Sequence, residues 1–261
     1  MWTPIFGFIL GICIGSFLNV CIDRLPRGQS LIYPPSHCDT CGRKLRVFAL
    51  IPIASYLWLK GRCRYCGANI PRRVFAVELG TGLLFAFVSF SYGFSIEFWV
   101  LAFYTCLFLV LAVIDLEHGL ILNKIVYPAI GISLILSPFW PSLGFSRAFL
   151  GENTMLHVFL SSLSGGGIFA GLFLLIALLY KGGMGWGDLK MAGLVGLATG
   201  FPSVLVAMMI SFLSGGLTAG FLLLLRRKRR KEAVPYAPFL SLGALVGLLW
   251  GEGLTVWYLG L

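Results

Sequence analysis

MAGLVGLATGFPSVLVAMMISFLSGGLTAGFLLLL, residues 191–225, runs for 35 residues without a charged side chain. One helix of this length would be roughly 52 Å long, whereas the hydrocarbon core of a bilayer is about 30 Å thick. Gly200-Phe201-Pro202 lies within the run, and this combination of glycine and proline favours a helix break. We therefore predict two membrane helices joined by a turn at residues 200–202.

The rest of the chain has the same apolar character. Hydrophobic residues make up 58% of the 261 residues and charged residues only 11%, whereas charged residues approach a quarter of an ordinary soluble domain. Besides 191–225, the uncharged intervals are 1–22, 79–96, 98–114, 125–146, 153–180, 233–251 and 253–261. Pro235 and Pro238 place the start of the last helix near residue 238, so the intervals 233–251 and 253–261 form one span. The sequence predicts an all-α polytopic membrane protein with about eight transmembrane helices.

The cations predict the orientation of these spans. If residue 1 faces outward, the segments 24–73, 116–124, 181–190 and 226–232 face inward. They carry ten, one, two and six cations, which is 19 of the 20 Lys and Arg residues. The positive-inside rule then places both termini outside the cytoplasm. Interval 1–22 has its positive charges after the apolar run, so we expect a retained first helix instead of a cleaved signal peptide.

The net charge of +10 is explained by this topology and by attraction to anionic lipid headgroups. RRKRRK at 226–231 directly follows an apolar span, which is typical of a stop-transfer cluster. We therefore expect anionic membrane lipids as partners and no nucleic acid.

Four cysteines predict a metal centre in segment 24–73. CDTCG at 38–42 and CRYCG at 63–67 are two CxxC pairs separated by 21 residues. Four thiolates at this spacing suit tetrahedral zinc, and disulfides or unrelated thiols are the less favoured alternative. Gly42 and Gly67 allow the tight turns that bring two sulfurs to one metal. The predicted ligands are Cys38, Cys41, Cys63 and Cys66.

A closed site of four sulfurs leaves no open position for water, so this zinc is predicted to be structural. His37 is interpreted as a bystander next to Cys38. Cys13, Cys21 and Cys106 lie in predicted spans and are interpreted as inert small hydrophobes.

The ten carboxylates fall into three groups. Asp39, Glu97, Glu152, Glu232 and Glu252 are explained as ordinary charges outside the spans or at their ends. Asp23 and Glu78 have cations nearby in sequence, at Arg24 and at Arg72-Arg73, so we predict a structural ion pair for each. The third group contains the carboxylates at the inner ends of two later spans.

Asp115 in AVIDLEHGLILN (112–123) and Asp188 in GMGWGD (183–188) form a candidate catalytic pair. Two carboxylates brought together in a low-dielectric site tend to share one proton, which leaves one base and one acid. Such a pair can activate water against a peptide carbonyl. From the residues alone, a structural or ion-relay role is favoured as much as catalysis.

Several neighbours of the pair are candidate supporting residues. The glycines around Asp188 have no Cβ and would allow close approach of a helix or of a substrate strand. These glycines are Gly182, Gly183, Gly185 and Gly187. Glu117 and Lys190 could tune the pair or could equally be solvated charges, and His118 is interpreted as a local hydrogen-bonding residue.

Taken together, these stretches resemble the bacterial type IV prepilin peptidases. The resemblance rests on GSFLNVCIDRLP (15–26), the double CxxC segment, VELGTG (77–82), IDLEH (114–118) and GMGWGDLKMAGLVG (183–196). It extends from the first span to the last. One departure concerns Ile121, which is followed by Leu122, whereas the family often has Ile-Pro at this place.

The resemblance implies an intramembrane aspartic protease of the GxGD type in the bacterial cytoplasmic membrane, with Asp115 and Asp188 as its aspartates. Such enzymes cut the basic leader from prepilins and pseudopilins on the cytoplasmic side. Many also N-methylate the new terminus with S-adenosylmethionine, for which we find no nucleotide-binding motif here. The implied domains are a first transmembrane helix (1–23), a cytoplasmic zinc-ribbon-like loop (24–73) and a protease core (74–261).

Two other functions are compatible with parts of the sequence. An ion-coupled transporter also uses paired intramembrane acids, but here the acids lie at one surface and no internal repeat is visible. A membrane-anchored zinc-binding module would use its spans only as an anchor, and eight spans exceed that need.

Overall fold

The computed structural model describes residues 2–143, 145, 154–179, 185–225 and 234–259. Within these ranges the chain forms nine α-helices, three short 3₁₀ turns and no strand. The helices are α1 (Thr3–Arg24), α2 (Ala54–Trp58), α3 (Arg72–Tyr92), α4 (Ile96–His118), α5 (Asn123–Leu136), α6 (Met155–Leu179), α7 (Trp186–Thr199), α8 (Ser203–Leu224) and α9 (Ala237–Leu259). The 3₁₀ turns are Val47–Leu50, Ser137–Phe139 and Pro141–Leu143.

Each of the eight predicted spans overlaps a helix, and the protein is an all-α, multi-pass membrane protein. Among the described residues, α1, α3, α4, α6, α8 and α9 are long and apolar enough to cross a bilayer. Helices α5 and α7 have 14 residues each and are shorter than a full span.

The predicted break inside residues 191–225 is confirmed. Helix α7 ends at Thr199 and α8 begins at Ser203. Gly200 between them has a φ of +68°, a conformation that favours glycine. The backbone amide of Phe201 donates to the Ser161 carbonyl at 2.9 Å, so the turn is fixed to α6.

Two helices differ in extent from the uncharged intervals that they overlap. Helix α3 begins at Arg72, seven residues before the uncharged interval, because charged residues in its first two turns are satisfied by partners in the protein. Helix α5 ends at Leu136, ten residues before its interval ends. Pro138 lies two residues beyond this end, and proline has no amide hydrogen with which to continue the helical hydrogen bonds, so the chain goes on in the 3₁₀ turn Ser137–Phe139.

Residues 1–106 form one compact unit, in which α1 packs against α3. The contact is a seam of glycines spaced four residues apart on α1. A Cβ on Gly11 would lie 2.7 Å from the Thr81 carbonyl oxygen, and one on Gly15 would lie 2.8 Å from the Glu78 Cα. Small residues at this spacing let helix backbones approach closely in a membrane.

Residues 107–261 form the second unit, in which α7 is surrounded by its neighbours. Helix α7 packs against α5, α6, α8 and α9, and its residues from Leu194 to Thr199 are all buried. It meets α6 through glycines, since a Cβ on Gly165 would lie 2.6 Å from the Gly196 carbonyl oxygen. The unit therefore holds Asp188, in the first turn of α7, at the start of a closely packed helix.

Some sequence predictions concern residues outside the described ranges. These are the basic cluster at 226–231, Arg147, Glu152, Glu232, Gly182 and Gly183.

Candidate active site and metal centre

Asp115 lies in the last turn of α4 and is buried, with 5% of its surface exposed. Its Oδ2 accepts a hydrogen bond from the backbone amide of Ala237 at 2.9 Å. Ala237 is the first residue of α9, and amides in the first turn of a helix have no partner within the helix. The Asp115 carboxylate therefore caps α9 from another helix.

Asp188 lies in the first turn of α7 and is half-buried. Gly185 is the N-cap residue, and its carbonyl accepts the Asp188 amide at 3.1 Å. A Cβ at Gly185 would come within 3.3 Å of the Asp188 Oδ2. A helix N-terminus stabilises a nearby negative charge, so this position suits a carboxylate.

The two aspartates are brought together in the second unit. They are close enough for the charge of Asp115 to act on Asp188. Two carboxylates that act on each other disfavour simultaneous ionisation, so one of them tends to keep its proton. The arrangement can supply one proton acceptor and one proton donor at the same place.

Gly187 brings the start of α7 against the loop that follows α4. A Cβ at Gly187 would lie 2.9 Å from the Ile121 Cβ, closer than real Cβ atoms approach. The absence of a side chain at Gly187 therefore allows the Asp188 turn to approach the chain just beyond Asp115.

Tyr236 is a site residue that the sequence did not reveal. It precedes α9, and the charge of Asp188 acts on its side chain. Its hydroxyl donates to the Ser211 carbonyl at 3.2 Å, and its ring packs against Phe173 with centroids 5.8 Å apart. In the sequence, Pro235 and Pro238 indicated only that a helix starts here. The first amides of a helix have no partner within the helix, but no local pattern shows that Asp115 accepts one of them.

The charged neighbours of the pair have other surroundings. Lys190 Nζ donates to Asn123 Oδ1 at 2.9 Å and lies 5.1 Å from the centre of the Tyr127 ring, so it joins α7 to α5. Glu117 and His118 are exposed at the end of α4.

The four predicted metal-ligand cysteines also lie together. Their sulfurs are all within 4.8 Å of one another, and the Sγ atoms of Cys38 and Cys66 are 3.8 Å apart. Tetrahedral zinc with Zn–S bonds of about 2.3 Å requires sulfurs about 3.8 Å apart, so the cluster fits such an ion. All seven cysteines of the chain are free thiols, which contradicts the disulfide alternative.

Each CxxC pair is shaped by one turn of the same kind. The Gly42 amide donates to the Cys38 carbonyl at 2.8 Å, and the Gly67 amide donates to the Cys63 carbonyl at 2.9 Å. Both glycines have positive φ, +66° and +72°, as their predicted role in the turns requires. His37 Nδ1 lies 3.0 Å from the Pro35 carbonyl and is not one of the clustered ligands.

Within the cysteine cluster, the surroundings of Cys38 favour its thiolate form. Hydrogen bonds from the backbone amides of Cys41 and Thr40 lower the pKa of Cys38 to about 6. The Ala68 amide acts in the same direction on Cys66, but desolvation and the hydrogen bonds with the other thiols raise the pKa of Cys66 to about 11. Without a metal the cluster therefore retains protons, which a metal would displace on binding.

The two predicted ion pairs have different outcomes. Asp23 does form one, at 2.7 Å, but its partner is Arg73, while Arg24 donates to the carbonyls of Ser30 and Pro34. The ion pair predicted for Glu78 is wrong. Its Oε2 accepts the backbone amide of Ile53 at 2.7 Å, because the chain folds back onto α3 there.

Fold and sites together define a multi-pass membrane protein with one buried and one half-buried carboxylate and a cluster of four thiols that could hold a metal. Residues 9–92 match the Bacterial Peptidase A24 N-terminal domain, and residues 101–220 match the Type IV leader peptidase family. The chain belongs to the type IV leader peptidase family.

Proteins of known name match almost the whole chain. One from Pseudomonas aeruginosa is 30% identical, over 96% of this chain and 91% of its own length. One from Bacillus subtilis is 32% identical, over 97% and 96%, and one from Legionella pneumophila is 28% identical, over 97% and 93%. All three are named prepilin leader peptidase/N-methyltransferase. No solved structure matches the chain, and nothing in these comparisons favours a transporter or a binding module.

Proposed function

We propose that this protein is an intramembrane aspartic endopeptidase that removes the basic leader of type IV prepilins or pseudopilins at the cytoplasmic membrane face. The observation that carries the proposal is the electrostatic proximity of two carboxylates, Asp115 buried in the last turn of α4 and Asp188 half-buried in the first turn of α7. The names of the relatives supply the substrate class.

The proposed reaction uses the proton that the pair shares. The ionised carboxylate takes a proton from water, whose oxygen attacks the scissile carbonyl carbon, while the protonated carboxyl gives its proton to the carbonyl oxygen. The tetrahedral intermediate then breaks its C–N bond, and the amine leaves with a proton from the pair. The products are a carboxylate on the leader and a free amine on the mature chain.

The supporting residues act by geometry in this proposal. Gly185 leaves room for the Asp188 carboxylate, and Gly187 allows α7 to approach Ile121. Lys190 holds α7 to α5 through Asn123. Glu117 stays at the exposed end of α4, two residues from Asp115.

A second activity, N-methylation of the new terminus with S-adenosylmethionine, is proposed from the names of the relatives alone. The metal of the cysteine cluster is proposed to be zinc, held by Cys38, Cys41, Cys63 and Cys66. Four protein ligands leave no position for a reacting water, so the ion would stabilise the fold of segment 24–73. We also propose that both termini lie outside the cytoplasm, that anionic lipids bind the basic segments, and that nucleic acid does not bind.

The test is mass spectrometry of a prepilin incubated with Asp115→Asn, Asp188→Asn and the double variant. Cleavage should fall by at least about 10³-fold in each single variant, and the double variant should be no worse, because the pair acts as a unit. Glu97→Gln, at the other end of α4, is the matched control and should cleave normally. Normal cleavage by either single aspartate variant in a folded preparation would contradict the mechanism.

A further inference from the structure

The short helix α2 and the turn before it expose large apolar side chains. No residue of Ala54–Trp58 is buried, and Leu57 and Trp58 are 62% and 88% exposed. Phe48, in the 3₁₀ turn Val47–Leu50, is 76% exposed. Adjacent apolar side chains exposed in this way indicate a surface that binds something apolar.

Two contacts fix α2 against the start of α3. The Ile53 amide, directly before α2, donates to Glu78, and the Tyr56 ring lies 5.3 Å from that of Phe75. Glu78 is roughly 9 Å along the helix axis from Arg72, where α3 begins. Helix α3 is one of the candidate spans, so α2 lies at the depth where polar headgroups meet hydrocarbon.

The charge of segment 24–73 indicates what kind of apolar partner the exposed side chains of α2 contact. Residues 24–73 contain ten Lys and Arg residues and one acidic residue, Asp39. Anionic lipid headgroups attract such a segment, and tryptophan is enriched at the level of the headgroups. A bilayer with anionic lipids offers both the charge and the apolar layer, and it borders α2 because of the contacts with α3.

We propose that Leu57, Trp58 and Phe48 insert into the interfacial layer of the bilayer, so that α2 anchors segment 24–73 to the membrane surface. The aromatic and aliphatic side chains occupy the acyl boundary, and the neighbouring cations remain among the headgroups. This anchor is independent of the proposed peptidase activity, since it requires only that α3 spans the membrane.

The experiment uses the full chain in nanodiscs of mixed phosphatidylcholine and phosphatidylglycerol. A fluorescent amino acid is placed at position 58 in one protein and at position 39, the exposed acidic position of the same segment, in the control. Lipids with a nitroxide near the headgroup should quench position 58 several-fold more than position 39. Acrylamide, a neutral quencher in water, should show the reverse order.

A second measurement needs no label. Trp58→Phe should remove a component of the intrinsic fluorescence that brominated lipids quench, while the helical circular dichroism stays unchanged. Equal acrylamide quenching at positions 58 and 39 would overturn the proposal. So would shielding of position 58 that develops only when prepilin is added, because the surface would then belong to a protein partner.

Discussion

Asp115 is held by a hydrogen bond from Ala237, a residue 122 positions away in the chain. The carboxylate therefore has two tasks, because its charge acts on Asp188 and its Oδ2 also caps α9. Asparagine at position 115 keeps an oxygen that can accept the Ala237 amide but cannot act as a carboxylate. Loss of cleavage in Asp115→Asn can thus be separated from loss of the fold.

Leu122, where the family often has the proline of Ile-Pro, has a backbone conformation that proline can adopt. It precedes α5 with φ −75° and ψ 116°, and proline holds φ near −65°. We expect Leu122→Pro to cleave prepilin normally and to raise stability by about 0.4–1 kcal/mol, because it restricts the unfolded chain. Thermal unfolding in detergent with a parallel cleavage assay tests this.

The control for this variant is Val126→Pro. The Val126 amide donates to the Leu122 carbonyl at 3.1 Å, and losing that bond inside α5 should cost about 3 kcal/mol. If Leu122→Pro were as unstable as Val126→Pro, proline would not fit at position 122. Either the Leu122 amide would then be needed as a donor, or the residue before it could not adopt the conformation that proline requires.

Glu78 fixes an unusual backbone conformation at Ile53. Ile53 has a φ of +60°, which is rare for a β-branched residue and persists only where surrounding contacts enforce it. Glu78→Ala removes the acceptor of the Ile53 amide and should release α2, at a cost of about 1 kcal/mol. Hydrogen exchange at residues 53–58 should become faster, whereas Glu78→Gln, which keeps an acceptor, should protect these amides nearly as well as the wild type. Equal exchange in all three proteins would contradict this role.

At the scale of the helices, glycines determine how closely α7 approaches its neighbours. We expect Gly187→Ala to destabilise the protein by about 1–3 kcal/mol and to reduce cleavage, because the new Cβ meets the Ile121 Cβ next to Asp188. A Cβ cannot rotate away from its own backbone, so the contact moves a helix or a loop. Thermal unfolding and prepilin cleavage measure the two effects.

Gly193→Ala is the matched control on the same helix, since its Cβ would lie 3.5 Å from the Ala170 Cβ, an ordinary contact. It should be close to neutral. Ile121→Gly combined with Gly187→Ala should restore part of the loss, and a complete lack of rescue would show that another contact causes the defect.

The helices were predictable where local signals decide them. Gly200 and Pro202 marked the end of α7, and Pro235 and Pro238 marked the start of α9 close to Ala237. The cysteine spacing likewise predicted the cluster, because two CxxC turns bring their own sulfurs together. The Ala237 cap on Asp115 could not be predicted, because packing of distant helices sets it and no local pattern reports it. The partner of Glu78 was misjudged for the same reason.

At the scale of the whole molecule, the chain combines membrane helices stabilised by close packing with a segment that has few buried apolar groups. Among the side chains of segment 24–73 that the structure describes, the buried hydrophobic residue beyond the end of α1 is Cys63, a cysteine of the candidate metal cluster. Hydrophobic burial therefore contributes little to this segment, and we expect metal binding to supply folding free energy to it.

We expect one zinc ion per chain, bound by Cys38, Cys41, Cys63 and Cys66. Serine at any one of these positions should weaken zinc binding by more than about 100-fold, because loss of a residue that only supports a ligand already lowers metal affinity by up to about 100-fold. Hydrogen exchange across residues 24–73 should accelerate in each variant. Cleavage should fall only partly, because Asp115 and Asp188 lie on α4 and α7, whereas methylation should fall more if it depends on surfaces of this segment. Elemental analysis with separate cleavage and methylation assays measures these effects, and Cys13→Ser, an exposed thiol on α1, is the control. Full activity of metal-free wild-type protein would refute the structural role of zinc, and equal, total loss of both activities would show that the segment belongs to the catalytic core.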